Sequence, residues 1–255
     1  MVTTRFIGRL GNSMFQTAAC IGYAKKYNYA WAVPYNSNES SIHKVFPSLP
    51  KTYDNPITWP RRGRGYDPSM YDYVEIPHCG PNVLLAGFFQ SYKYFEHCEN
   101  EVRKIFKLDY YPEYKDCVSI HVRRGDYVNL VDNFDPVTPE YISASQELFE
   151  NKKFIVCSDD IEWCKQNIKG DVEFFNGNER EDLSVLQSCG NHIISNSTFS
   201  WWSAWLSPYT DKTVVCPHNL SWYGKNNGVV VSARQRGTEP AKDLIPPDWI
   251  KIKFR

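Results

Sequence analysis

Apolar residues at Phe15, Ala18, Ala19, Gly22 and Tyr23 repeat at the spacing of one helix face, which predicts a helix from Ser13 onward. A glycine turn, "GRLGNS", precedes it, and a short strand ends at Phe6 and Ile7. "YAWAVP" reads as a strand that stops before Pro34. Residues 36 to 80, with the basic run "RRGRGY" from Arg61 to Tyr66, carry few periodic signals and read as loops and short helices. "NVLLAGFFQSYKYF" reads as a buried strand followed by a helix start, with Ser91 as its N-cap. From residue 117 the pattern becomes regular. "CVSIHV", "KFIVCS", "NHIIS" and "KTVVC" are buried strands. Helices stand between them: one capped by Thr138 with Pro139 behind it and running to about Glu150, "DIEWCKQN" capped by Ser158, Glu181 to Ser188, and "FSWWSAWL". Strands alternating with helix-length gaps predict an α/β fold with a parallel sheet covered by helices.

Composition narrows the classes. At 255 residues the chain has room for one large domain or two small ones. Twenty-nine basic residues balance 29 acidic ones, which argues against a general nucleic-acid or membrane-surface binder. Any anion site must therefore be local. The eight cysteines form no C-x-x-C pair, the first residues lack the apolar core of a signal peptide, and no run of about 18 apolar residues exists. A reducing, cytoplasmic setting is the expectation. Aromatic residues reach 15%, which suits a bulky core first and sugar stacking second.

Candidate chemistry collects at the carboxyl ends of the predicted strands, where open parallel sheets bind ligands. Arg123, Arg124 and Asp126 follow "VSIHV", Ser158 to Asp160 follow "FIVC", and Ser195 to Thr198 precede a helix. Arginine forks and the free N–H groups of a helix start both suit phosphate oxygens. A solvated turn is the plainer reading of one arginine pair. "RGD" at Arg124 to Asp126 also spells an adhesion tripeptide, which a cytoplasmic chain would not use. No D-x-D, P-loop or hydrolase triad is present, and "GRLGNS" matches a dinucleotide fingerprint only loosely.

The segments "GRLGNSMFQTA", "GFFQSYKYF", "SIHVRRGDYV", "FIVCSDDIEWCK", "EDLSVLQSCGNHIISNSTFSWWSAWL" and "DLIPPDWIKI" occur in that order between Gly8 and Ile252. Together they resemble the alpha-1,2-fucosyltransferases of glycosyltransferase family 11. Ser13 and Ser203 stand where that family usually has Gln and Gly. The resemblance implies two facing Rossmann-like domains of the glycosyltransferase B type with a cleft between them. Residues 1–115 would form the acceptor-side domain and 118–255 the GDP-sugar-binding domain. It implies transfer of fucose from GDP-L-fucose to a sugar hydroxyl, typically the 2-hydroxyl of a galactose in a glycan acceptor, with inversion. No metal, cofactor, nucleic acid or transmembrane segment is implied. His121 and Arg123 would contact the diphosphate, with Arg124 supporting them or reaching it as well. Asp182 would accept hydrogen bonds from guanine. Ser197, Thr198 and Ser200 would bind phosphate, with Phe199 packing nearby. Asn12 would lie near the transferred sugar. Asp126 would act as general base, or fix Arg124 or the following loop by a salt bridge. Two alternatives stay open: another GDP-sugar donor, or a non-catalytic binder of glycans or sugar nucleotides.

Overall fold

The apolar runs become short parallel strands. The computed structural model describes residues 1–35, 41–53, 61–62, 72–227, 230–231, 239–240 and 242–254. Residues 63–66 of the basic run lie outside these. The chain divides into two units, Met1–Lys107 with Ala241–Pro246, and Leu108–Pro240 with Pro247–Arg255.

In the first unit, β1 (Val2–Thr4) is fully buried and leads to helix α1 (Leu10–Tyr27). The helix starts three residues before the expected Ser13. Its cap position, Arg9, is extended and offers no side-chain cap bond. The turn is held instead by the Gln16 amide, which accepts from the Ile7 N–H at 3.1 Å and donates to the Ile7 carbonyl at 3.2 Å. Gly8 carries a φ of +87°, and a Cβ there would lie 2.2 Å from the Asn12 side chain, so the turn requires glycine. Strand β1 ends at Thr4, earlier than the expected Ile7. Then follow β2 (Val33–Pro34), α2 (Ser41–Val45), β3 (Lys51–Thr52), β4 (Arg61–Arg62), β5 (Val83–Leu85) and α3 (Glu99–Ile105). Strands run β1-β5-β4 in one parallel sheet, and β2 pairs with β3 in another. Of "YAWAVP" only the last two residues are strand, with Trp31 bridging to Val2. Ser91 caps as expected, accepting from the Lys93 N–H, although the turn it opens is 3₁₀.

The second unit holds β6 (Val118–Val122), α4 (Pro139–Gln146), β7 (Phe154–Ser158), α5 (Ile161–Asn167), β8 (Val172–Phe174), α6 (Glu179–Ser188), β9 (Asn191–Ile193), α7 (Thr198–Leu206), β10 (Val214–Pro217), α8 (Asn219–Trp222) and β11 (Ile250–Ile252). All neighbouring strands are parallel in the order β8-β7-β6-β9-β10-β11. Counted within the unit, this is third, second, first, fourth, fifth, sixth, the order of a doubly wound nucleotide-binding sheet. Val118, Ile120 and Val122 point to one face and pack with Tyr141, Ile142 and Cys164 beneath α4 and α5. Ser119 and His121 point to the other face, by the two-residue period of a strand. There Ser119 Oγ lies 2.7 Å from His192 Nδ1. Burial of apolar surface of this kind is worth roughly 25 cal/mol per Å² and dominates the stability of such a sheet.

Two expectations change here. Helix α4 keeps its Thr138 cap, which accepts from the Tyr141 N–H, but ends at Gln146 rather than near Glu150. Asp160, not Ser158, caps α5, accepting from the Trp163 N–H at 3.2 Å. Ser158 Oγ instead donates to the Val122 carbonyl and accepts from the Asp160 N–H.

Candidate functional site

The strand order reverses between β6 and β9, the point beyond whose carboxyl ends open sheets of this kind bind ligands. Arg123 and Arg124 leave β6 at this point. Neither is a bare surface charge. Arg123 is 14% exposed and places Nη2 2.5 Å from Asp126 Oδ1 and Nη1 2.6 Å from Asp159 Oδ2. Its guanidinium also lies 5.6 Å from the Tyr127 ring centre. Arg124 donates from Nε to Asp160 Oδ2 at 3.2 Å and stacks over the Trp163 ring at 4.1 Å. Asp159 Oδ1 accepts the backbone N–H groups of Arg124, at 2.8 Å, and Gly125, at 3.1 Å. Two guanidinium groups are thus faced by three carboxylates.

His121 is buried against α7. Its Nδ1 lies 2.5 Å from Ser200 Oγ and 3.4 Å from Ser195 Oγ, and the two hydroxyls are 2.8 Å apart. The Phe199 ring packs on the imidazole with centres 5.0 Å apart. Burial drives the His121 pKa down to about 4; the Asp159 carboxylate opposes this and the Arg123 charge adds to it. At neutral pH the ring is therefore an uncharged hydrogen-bonding group.

Ser197 stands at the N-cap of α7 and Thr198 is its first residue. The Ser197 side chain makes no cap bond, so the hydroxyl is not consumed by its own helix. Just before it, Asn196 is buried and donates from Nδ2 to the carbonyls of Asp135 and Trp222. Tyr127 OH donates to the Asn196 carbonyl, and its ring stacks on Phe134 at 4.4 Å. These contacts tie the segment after β6 to the segment after β9.

Asp182 occupies a different place, the first turn of α6. Capping there is done by Asn178 and Glu181, which form a reciprocal capping box. Asp182 Oδ1 accepts from the Gly177 N–H at 3.0 Å. Burial raises its pKa to about 6, the Gly177 hydrogen bond pulls the other way, and Glu181 and Glu179 push it further up. Asn12 belongs to the first unit. It was expected ahead of the helix, but it lies inside the first turn of α1, where Oδ1 accepts from Gln90 Nε2 at 2.8 Å.

The structure therefore gathers His121, Arg123, Arg124, Asp126, Phe199 and Ser200 at the carboxyl end of β6, with Ser197 and Thr198 at the adjoining helix start. It sets Asp182 on α6 and Asn12 in the other unit. The sequence placed Asp159 and Asp160 at a strand end without pairing them with the arginines, and it singled out neither Tyr127 nor Trp163. A usable signal existed: β6 and β7 are neighbours, so residues just past their ends must meet. Among the described residues no three His, Cys, Asp or Glu side chains gather as metal ligands. No helix of the described residues is long and apolar enough to cross a membrane.

Comparison with known proteins fits this geometry. The model of the family "Glycosyl transferase family 11" matches residues 1–224. An alpha-1,2-colitosyltransferase of Escherichia coli is 28% identical across 99% of both chains. Galactoside alpha-(1,2)-fucosyltransferase 2 of Bos taurus is 29% identical over 81% of this chain and 69% of its own. Among solved structures, the selenomethionine form of fucosyltransferase NodZ from Bradyrhizobium is 13% identical. It has a TM-score of 0.50 and covers 81% of this chain and 92% of that one, a likeness of fold.

Proposed function

We propose, from the premise that the chain belongs to glycosyl transferase family 11, that it moves L-fucose from GDP-L-fucose to the 2-hydroxyl of a galactose in a glycan, with inversion. The observation that carries this is Arg123, held by two carboxylates at the end of β6, the strand whose His121 meets Ser200 in the first turn of α7. Breaking the fucose–phosphate bond leaves growing negative charge on the diphosphate. Arg123, Arg124 and the α7 N–H groups with Ser197 and Thr198 are the groups to take up that charge. Preorganised donors of this kind stabilise the transition state more than the ground state. They would do the work that a divalent ion does elsewhere. Neutral His121 donates or accepts a hydrogen bond near the diphosphate without adding charge, and Asp182 accepts from guanine. Asp126 lies in an ion pair with Arg123, which supports its role in fixing the loop over its role as a strong base. The second unit would carry the donor and the first, with Asn12, the acceptor side. The two would face each other in the glycosyltransferase B manner. None of the eight cysteines is in a disulfide, and a reducing, cytoplasmic setting is part of the proposal.

The names of the two relatives share the alpha-1,2 linkage and differ in the sugar. Colitose is L-fucose without its 3-hydroxyl, so the donor panel must contain both. GDP-L-fucose, GDP-colitose, GDP-mannose and UDP-galactose are offered with simple galactosides, and products are read by mass spectrometry and linkage analysis. Transfer from GDP-L-fucose to position 2, undiminished by EDTA, is expected. Preference for GDP-colitose, transfer only from a UDP-sugar, or activity lost in EDTA and restored by Mn²⁺ would each overturn the corresponding part.

A further inference from the structure

Strands β6 and β7 run in register, with Val122 opposite Ser158. The next residues, Arg123 and Asp159, therefore emerge side by side. Asp159 then does two things at once. Oδ1 takes the N–H groups of Arg124 and Gly125, and Oδ2 takes Nη1 of Arg123. One carboxylate thus fixes the loop backbone and the guanidinium in a single geometry. Asp126 also grips Arg123, but it sits in the same loop and is more exposed, 39% against 29%. Gly125 records the arrangement. A Cβ there would lie 2.5 Å from Asp159 Oδ2 and 3.2 Å from its Cγ, so any larger residue would displace the carboxylate.

We propose that Asp159 is a positioning residue for the transfer reaction: it sets the angle at which Arg123 meets the diphosphate, and Gly125 is glycine to admit it. This rests on the donor role of Arg123 given above. An arginine fork has five N–H donors in a fixed plane. Engaging Nη1 and Nη2 on the loop side leaves the remaining donors of that plane for the ligand.

The test is a double-mutant cycle with GDP-L-fucose. Asp159→Asn keeps an oxygen for the two backbone N–H groups but turns an NH₂ toward Nη1, so it breaks the arginine contact selectively. In the wild-type background kcat/KM falls on the order of 10- to 100-fold, the range for a hydrogen bond to a charged group. In the Arg123→Ala background the same change alters kcat/KM by less than about twofold, the margin within which independent effects add. Gly125→Ala, which pushes on the same carboxylate from the other side, follows the same pattern and decides the matter if Asp159→Asn does not fold. Equal losses in both backgrounds would mean a general structural role and overturn the inference. So would wild-type turnover by Asp159→Asn. If Arg123→Ala alone keeps wild-type turnover, the donor reading itself falls and the positioning inference falls with it.

Discussion

Asp182 gives the most quantitative prediction. Burial holds its carboxyl at about 6, so donor binding should titrate between pH 5 and 7. About nine-tenths of the group is ionised at pH 7 and about one-tenth at pH 5. If guanine needs the carboxylate, GDP-L-fucose should bind about tenfold more weakly at pH 5 than at pH 7. The assay is calorimetry without acceptor, at fixed ionic strength. GDP-L-fucose is the right probe because its esterified diphosphate does not titrate in this window, whereas the terminal phosphate of GDP does. His121, held down at about 4, also stays neutral throughout. Asp182→Asn should bind weakly at both pH values and lose the dependence. The same substitution has an opposite effect on stability. The folded pKa is raised from 3.8 to about 6. This group's contribution to stability is therefore fully present below 3.8 and lost as pH rises through 6. Ionised Asp182 costs stability at pH 7, so Asp182→Asn should raise Tm there and leave it nearly unchanged below pH 4. Equal wild-type affinity at pH 5 and 7, or a pH dependence that survives in Asp182→Asn, would refute the reasoning.

Two further outcomes follow from the site and its scaffold. Arg123→Ala should lower kcat by about 100- to 1000-fold in steady-state assays, and Arg123→Lys should restore little, since a point charge cannot serve Asp126, Asp159 and a ligand in one plane. Thr138→Ala removes the cap of α4 and should cost about 1 kcal/mol in urea unfolding, with GDP-L-fucose affinity unchanged.

The scaffold of the second unit was legible because its signals are local. "VSIHV", "FIVCS" and "VVCP" are apolar runs of strand length, and Thr138 sits at a helix start, whereas α6 opens at Glu179 behind an Asn178 cap rather than at the expected Glu181. Boundaries were less legible where side chains outside the pattern decide them. Helix α1 begins at Leu10 because Gln16 reaches back to Ile7, a contact nine residues long in sequence. Helix α4 stops at Gln146, although its sequence carries no breaker before Glu150. The polar cluster was half legible. Arg123, Arg124 and the Ser197–Thr198 pair stand out as residue types at strand ends. Their partners do not, because Asp159, Asp160 and Trp163 also satisfy the ordinary grammar of a capped helix. Only the pairing of β6 with β7, about 36 residues apart in the chain, turns a cap into an ion pair. Asn12 was legible as a polar residue in a glycine turn, while its place inside α1 and its contact with Gln90 were not.

Strand β11 closes the second sheet from far along the chain. It pairs with β10, and its neighbours Trp249 and Phe254 pack on Trp201 of α7 and Tyr141 of α4. Before it arrives, the intervening segment Ala241–Pro246 joins the first unit, where Asp243 pairs with Lys93. During translation, then, helix α7 is complete at Leu206, well before the Trp249 that packs on it, and β10, ending at Pro217, stays an open edge until β11 begins at Ile250. Such distant closure slows folding and leaves the nascent chain exposed to edge-to-edge association. A fragment ending anywhere between Pro217 and Trp249 would carry every residue of the arginine cluster and still lack the strand that closes the sheet behind it.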